Sequence, residues 1–125
     1  IVSLPVIKIN DIELFLNNQK YNEIKKISVL LKNSCSKKVF VIYFDSYDFA
    51  PYFLKNSYAV ISLGVNLSNN SFILAKYNNI ISIYYYSLIN GSRCLKRIDN
   101  NICIYPLEKE FHHIFLGSIV QIIIN

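Results

Sequence analysis

Residues Val39 to Ile61 read VFVIYFDSYDFAPYFLKNSYAVI, and this stretch constrains the fold more than any other part of the chain. Val39 to Phe44 is an unbroken run of β-branched and aromatic residues, the pattern of a strand buried on both faces. Pro51 cannot donate to a ladder and biases Ala50 away from the helical region, so the first strand must end and the chain must turn before Tyr58 to Ile61 starts a second apolar strand. Asp45, Ser46 and Asp48 fall where the backbone changes direction, a position suited to chemistry. The same residue types also favour turns simply by bonding their own backbone.

The rest of the chain is punctuated in the same way. An opening strand near Leu4 to Ile9 precedes a short helix from about Asp11, whose carboxylate can cap it, with Ile12, Phe15 and Leu16 on one apolar side. Ile27 to Leu31 and Val39 to Phe44 read as a hairpin around Asn33-Ser34-Cys35-Ser36. Further strands are expected at Tyr58 to Leu63, Phe72 to Lys76, Ile80 to Tyr86, Arg93 to Ile98, Ile102 to Tyr105 and Phe115 to Ile124, with Asn90-Gly91 as a tight-turn signal. At 125 residues and 53% hydrophobic, the chain is one domain able to bury a core. The fold class expected is mainly β, with partly closed sheets and one short N-terminal helix.

The order and spacing of these segments resemble the C-terminal domain of LexA and of phage repressors, a self-cleaving serine-lysine peptidase domain. That family is marked by a buried strand, then Asp-Ser-Met-x-Pro, a few residues, Gly-Asp and another apolar strand. Tyr47-Asp48-Phe49-Ala50-Pro51, then Asn56-Ser57, then Tyr58-Ala59-Val60-Ile61 fall into that register. Ser71 to Asn79 looks like the family's next strand and turn, Ile80 to Tyr86 like its lysine-bearing strand, and Phe115 to Ile122 like its closing strand with an early glycine. Leu4-Pro5-Val6-Ile7 looks like its leading segment, so the similarity spans nearly the whole chain. It implies a LexA/signal-peptidase-like fold.

The departures from that pattern bear on function. Asp48 stands where the family has its nucleophilic serine, and a carboxylate cannot be activated for acyl transfer as a hydroxyl can. Ser46 lies five residues before Pro51, a two-residue slip away. The alignment places Tyr84 at the position of the general-base lysine. Leu95-Lys96-Arg97-Ile98 offers a competing register in which Lys96 is the base, although Asn90-Gly91 inserts an extra hairpin before it. The Ala-Gly pair at which family members cut themselves occurs nowhere in the chain. The expectation is a catalytically inactive domain, not an enzyme, that gives a transcriptional regulator its dimerisation and regulatory module. DNA would be contacted only through a domain upstream of Ile1. An active autoprotease using Ser46 with Lys96 is one alternative. A peptide or small-ligand module using the old cleft, lined by Asp48, Tyr84 and Tyr85, is another.

The family uses its last strand in a two-fold dimer, which implies a homodimer with Ile119, Gln121 and Ile123 at the interface. The run Ile119 to Ile124 equally suits an interior strand, because strands buried on both faces read as continuous apolar runs. Cys35, Cys94 and Cys103 lack C-x-x-C spacing and read as ordinary thiols, while His112-His113 would point to opposite faces of a strand, so no metal or other cofactor is expected. The net charge of +5 comes largely from dispersed lysines such as Lys25, Lys26 and Lys32, without interleaved aromatics for base stacking. With no apolar stretch long enough to span a bilayer and no signal-peptide pattern, the domain is expected to be cytoplasmic, with no membrane partner.

Overall fold

A computed structural model of the chain describes residues 1–17, 25–32, 38–64, 67–107 and 114–124. It is mainly β. The elements in chain order are β1 (Val2–Lys8), a 3-10 turn (Ile9–Asp11), α1 (Ile12–Leu16), β2 (Lys25–Val29), β3 (Val39–Tyr43) and β4 (Tyr58–Leu63). These are followed by β5 (Ser71–Tyr77), β6 (Ile80–Ile89), β7 (Ser92–Arg97), β8 (Cys103–Ile104) and β9 (Phe115–Ile123). The strands form one nine-stranded sheet that is not closed, in the order β2-β1-β3-β4-β9-β5-β6-β7-β8, with one short N-terminal helix.

The expected hairpin between β2 and β3 is not formed, because β1 lies between them. β1 pairs antiparallel with β2 and parallel with β3, bringing Val6 and Ile7 beside Val41 and Ile42. The turn expected at Asn33 to Ser36 falls outside the described residues, as do Cys35 and His112-His113. Asp11 does occupy the helix N-cap, yet it makes no side-chain capping bond.

The strand period of two sorts the side chains into layers. Phe40 and Ile42 of β3, Ala59 and Ile61 of β4, Leu74 of β5 and Ile83 of β6 share one face and form the main core, which Ile12 of α1 covers. On the other face two smaller cores form. Leu4, Val29, Val41 and Val60 close up the first half of the sheet, and Ile73, Ala75, Tyr84, Tyr86 and Leu95 the second. A sheet lined on both faces explains why its central strands read as continuous apolar runs.

β9 is an interior strand. It pairs with β4 along Tyr58 to Leu63 and with β5 through Phe115, Gly117 and Ser118. Ile119 packs on the main core and Ile123 on the Leu4–Val29 core. Gln121 reaches across to the chain leaving β2: its Nε2 donates to the Leu30 carbonyl at 3.1 Å, and its Oε1 accepts from the Lys32 amide at 3.2 Å. The three side chains expected at a dimer interface are therefore half-buried and have partners within their own chain. Beyond Ser118 only the β4 ladder accompanies β9 among the described residues, and there the exposed apolar side chains are Ile122 and Ile124.

Candidate functional site

β3 ends where its apolar run ends, and residues 44 to 57 form a loop closed at its base. The Phe44 amide donates to the Ser57 carbonyl at 3.1 Å, and the Asn56 amide donates to the Phe44 carbonyl at 2.7 Å. Asn56 adopts φ of 69°, a left-handed conformation that asparagine tolerates better than most residues, and its Oδ1 accepts from the Tyr43 hydroxyl at 2.6 Å. Inside the loop the amides of Ala50 and Phe53 donate to the carbonyls of Tyr47 and Phe49, both at 3.0 Å. The Ala50–Pro51 peptide is cis.

Rings anchor this loop to the sheet. Phe44, Phe49 and Phe53 are buried in the main core. Phe53 stacks on Phe44 at 5.0 Å and meets Phe72 edge-on at 5.1 Å, and Phe72 in turn meets Tyr85 at 5.1 Å. These separations and tilts are those at which aromatic pairs attract one another. The polar residues of the loop point outward: Asp45, Tyr47 and Asp48 are exposed, with Lys55 Nζ 5.5 Å from the Tyr47 ring centroid.

Between this loop, the start of β6 and the end of β7 lies a cavity of about 180 Å³. That is below the roughly 300–1,000 Å³ usual for small-molecule sites, so it holds one side chain or a few waters more readily than a whole ligand. Asp45, Ser46 and Asp48 line it from the loop, Ser82 from β6, and Arg97 and Asp99 from the end of β7. Arg97 is committed to Asp99 by two parallel bonds, Nε to Oδ1 at 2.6 Å and Nη2 to Oδ2 at 3.0 Å. That hydrogen-bonded pairing raises the Arg97 pKa, so the guanidinium keeps its charge and is not available as a base. Asp45 lies 4.0 Å from Lys8 in a largely exposed pair, the kind that contributes little. With three aspartates against one arginine, the cavity is acidic in a chain that is basic overall.

The expected site residues separate on this geometry. Asp48 and Ser46 both line the cavity, and the Ser46 Oγ accepts from the Asp48 amide at 3.3 Å. Tyr84 does not line it. This tyrosine projects from the opposite face of β6 to Tyr85 and is buried among Ile73, Ala75 and Leu95, opposite Arg97 in the ladder. Burial pushes its phenol above the usual value, with the neighbouring Arg97 opposing that shift. Tyr85 faces the loop's aromatic layer without reaching the cavity lining. Lys96 pairs with Tyr85 and Cys103 in its ladders, on the face of β7 opposite to Arg97, and is not among the lining residues either. Among the described residues lining the cavity there is no lysine and no histidine.

Arg97, Asp99 and Ser82 were missed in the sequence, although Arg97-Ile98-Asp99 carried a signal. β7 ends at Arg97 and Asp99 lies in the turn that follows, where opposite charges two residues apart can pair locally. No known protein family matches the sequence, and no curated protein matches it.

Proposed function

We propose that the chain is a catalytically inactive regulatory domain of the LexA and phage-repressor type, contributing dimerisation to a transcriptional regulator whose DNA-binding domain lies outside these 125 residues. The observation that carries this reading is the composition of the cavity beside Asp48. A serine-lysine peptidase needs a hydroxyl within about 3 Å of an amine base. In the proposed register Asp48 takes the nucleophile's place; the one serine of the loop at the cavity bonds the Asp48 amide, and Arg97 is held by Asp99. Such an arrangement retains the loop that builds a peptidase site while lacking the pair of groups that perform the chemistry.

The dimer in this proposal forms through the far end of β9, where Ile122 and Ile124 are 44% and 69% exposed and where β5 no longer accompanies the strand. Among the described residues nothing fills the ladder on that side, and an apolar strand end of this kind is a template for a second strand. Two copies of a regulator joined this way would hold two DNA-reading helices at a fixed spacing. Sedimentation velocity over a wide concentration range tests it. A dimer that Ile122→Glu converts to monomer supports the proposal, and a chain that stays monomeric at the highest concentration rejects its dimerisation half.

A further inference from the structure

Two cysteines meet at the outer edge of the sheet. β8 pairs with β7 through Leu95↔Ile104 and Lys96↔Cys103. The Arg97 amide donates to the Ile102 carbonyl at 2.9 Å, which makes the next pair, Lys96 and Cys103, one of the non-hydrogen-bonded kind by the alternation of an antiparallel ladder. Cys103 therefore projects to the same face as Lys96 and, two residues earlier on β7, as Cys94. The two cysteines are diagonal neighbours on adjacent strands, one buried at 7% exposure and the other exposed. Ser87 and Cys103 are both near enough to act on the Cys94 thiol, and the Cys103 thiol itself donates weakly to the Asn101 carbonyl at 4.0 Å.

We propose that Cys94 and Cys103 form a reversible intrachain disulfide, with exposed Cys103 as the point at which a small disulfide oxidant such as oxidised glutathione enters. The Cys103 thiolate, its proton lost to solvent, attacks one sulfur of the oxidant. This forms a mixed disulfide and releases one glutathione thiolate. The Cys94 thiolate, likewise deprotonated, then attacks the Cys103 sulfur and expels the second glutathione. Two protein thiols lose two electrons and two protons, and one glutathione disulfide is reduced to two thiols. Burial raises the Cys94 pKa, which suits a thiol that resolves the mixed disulfide from beneath better than one that meets the oxidant first.

The geometry also gives the bond its character. Diagonal neighbours in an ordinary sheet stand about 7–8 Å apart between Cα atoms, whereas a relaxed disulfide spans up to about 6.8 Å. Closing the bond draws the two-residue strand β8 toward β7. A disulfide that is both strained and near the surface is readily reduced again, as regulatory ones are. The ring it closes runs from Cys94 to Cys103 and contains Arg97 and Asp99, the ion pair lining the acidic cavity. Oxidation at the sheet edge thus reaches the cavity through the turn that carries that pair.

The test uses the full chain carrying Cys35→Ser, titrated with oxidised glutathione and read by intact mass and by digestion without reduction. The expected product has lost two hydrogens, carries no glutathione and yields a peptide pair linking Cys94 to Cys103. Cys94→Ala should instead stop at a single glutathione adduct on Cys103. Cys103→Ala should stay unmodified in native buffer and react only once urea exposes Cys94. A lasting glutathione adduct on Cys103 in the chain that retains Cys94, or equal reactivity of both thiols in native buffer, overturns the proposal.

Discussion

Replacing Phe53 by alanine should cost far more than replacing Asp48, although both stand in the same loop. Phe53 is fully buried, with Phe44 and Phe72 rings at 5.0 and 5.1 Å, and nothing beneath the loop can move in without breaking those contacts. Truncating a buried phenylalanine costs about 3–5 kcal/mol. With an unfolding entropy of about 2.1 cal/mol/K per residue, 125 residues give about 0.26 kcal/mol/K, so a loss of about 4 kcal/mol lowers Tm by about 15 °C. Asp48 is exposed, and surface substitutions of its kind stay within about 0.5 kcal/mol, or about 2 °C on the same scale. Thermal unfolding of Phe53→Ala and Asp48→Ala by circular dichroism, at one protein concentration, measures both. A Tm loss for Asp48→Ala comparable to that of Phe53→Ala would mean that the buried rings are not what holds the loop. So would a Phe53→Ala loss of only about 2 °C, the size of a surface change.

Three further outcomes follow from other parts of the fold. Gly117 lets β9 and β4 approach closely: an added Cβ would lie 2.9 Å from the Ser62 carbonyl oxygen, so Gly117→Ala should lower stability by about 1–3 kcal/mol, and an unchanged Tm contradicts this. Gln121→Leu removes both bonds to the segment after β2; because the freed backbone groups can turn to water the cost is about 1 kcal/mol, and hydrogen exchange at the Lys32 amide should speed up. Unchanged exchange there would remove the clamp from the account. Tyr84 has a raised pKa in the folded chain, so its contribution is complete below about pH 10, where the unfolded tyrosine ionises, and is lost as pH rises through the folded value. Urea unfolding of Tyr84→Phe should accordingly show a shallower alkaline fall in stability than the parent, and equal slopes would rule out a buried phenol at this position.

The parts of the fold written in local chemistry were legible in the sequence. Asn90-Gly91 marks the β6–β7 turn because both residues take positive φ, 51° and 78°, which asparagine and glycine tolerate. Asn78 and Asn79, at 49° and 64°, do the same between β5 and β6. The place of β1 was not legible. Its parallel ladder with β3 joins segments far apart in the chain, and no turn residue encodes such a pairing. Pro5, which has no amide to donate, lies just before that ladder begins at Val6, so it limits the pairing without announcing it.

Within the site, the loop was legible because Pro51 and the flanking apolar runs fix where the chain turns. The phase of β6 was harder to read. Tyr84 and Tyr85 are adjacent and chemically alike, and only the ladder decides that Tyr85 faces the loop's rings while Tyr84 shares the opposite face with Arg97. A one-residue change of phase exchanges the faces of a strand, and neither tyrosine carries a sequence signal that fixes it. The same alternation puts Lys96 on the face of Tyr85 and Arg97 on the face of Tyr84, and of the two it is Arg97, at the very end of β7, that lines the cavity.

On the function proposed, the Asp48 loop keeps a peptidase's architecture without its chemistry. The direct measurement is self-cleavage of the 125-residue chain incubated at about pH 11, where an ordinary lysine is mostly neutral. Intact mass followed over time in the parent, Ser46→Ala and Asp48→Ala should show all three whole. Cleavage in the parent that Ser46→Ala abolishes and Asp48→Ala leaves intact would contradict the claim and make Ser46 a nucleophile.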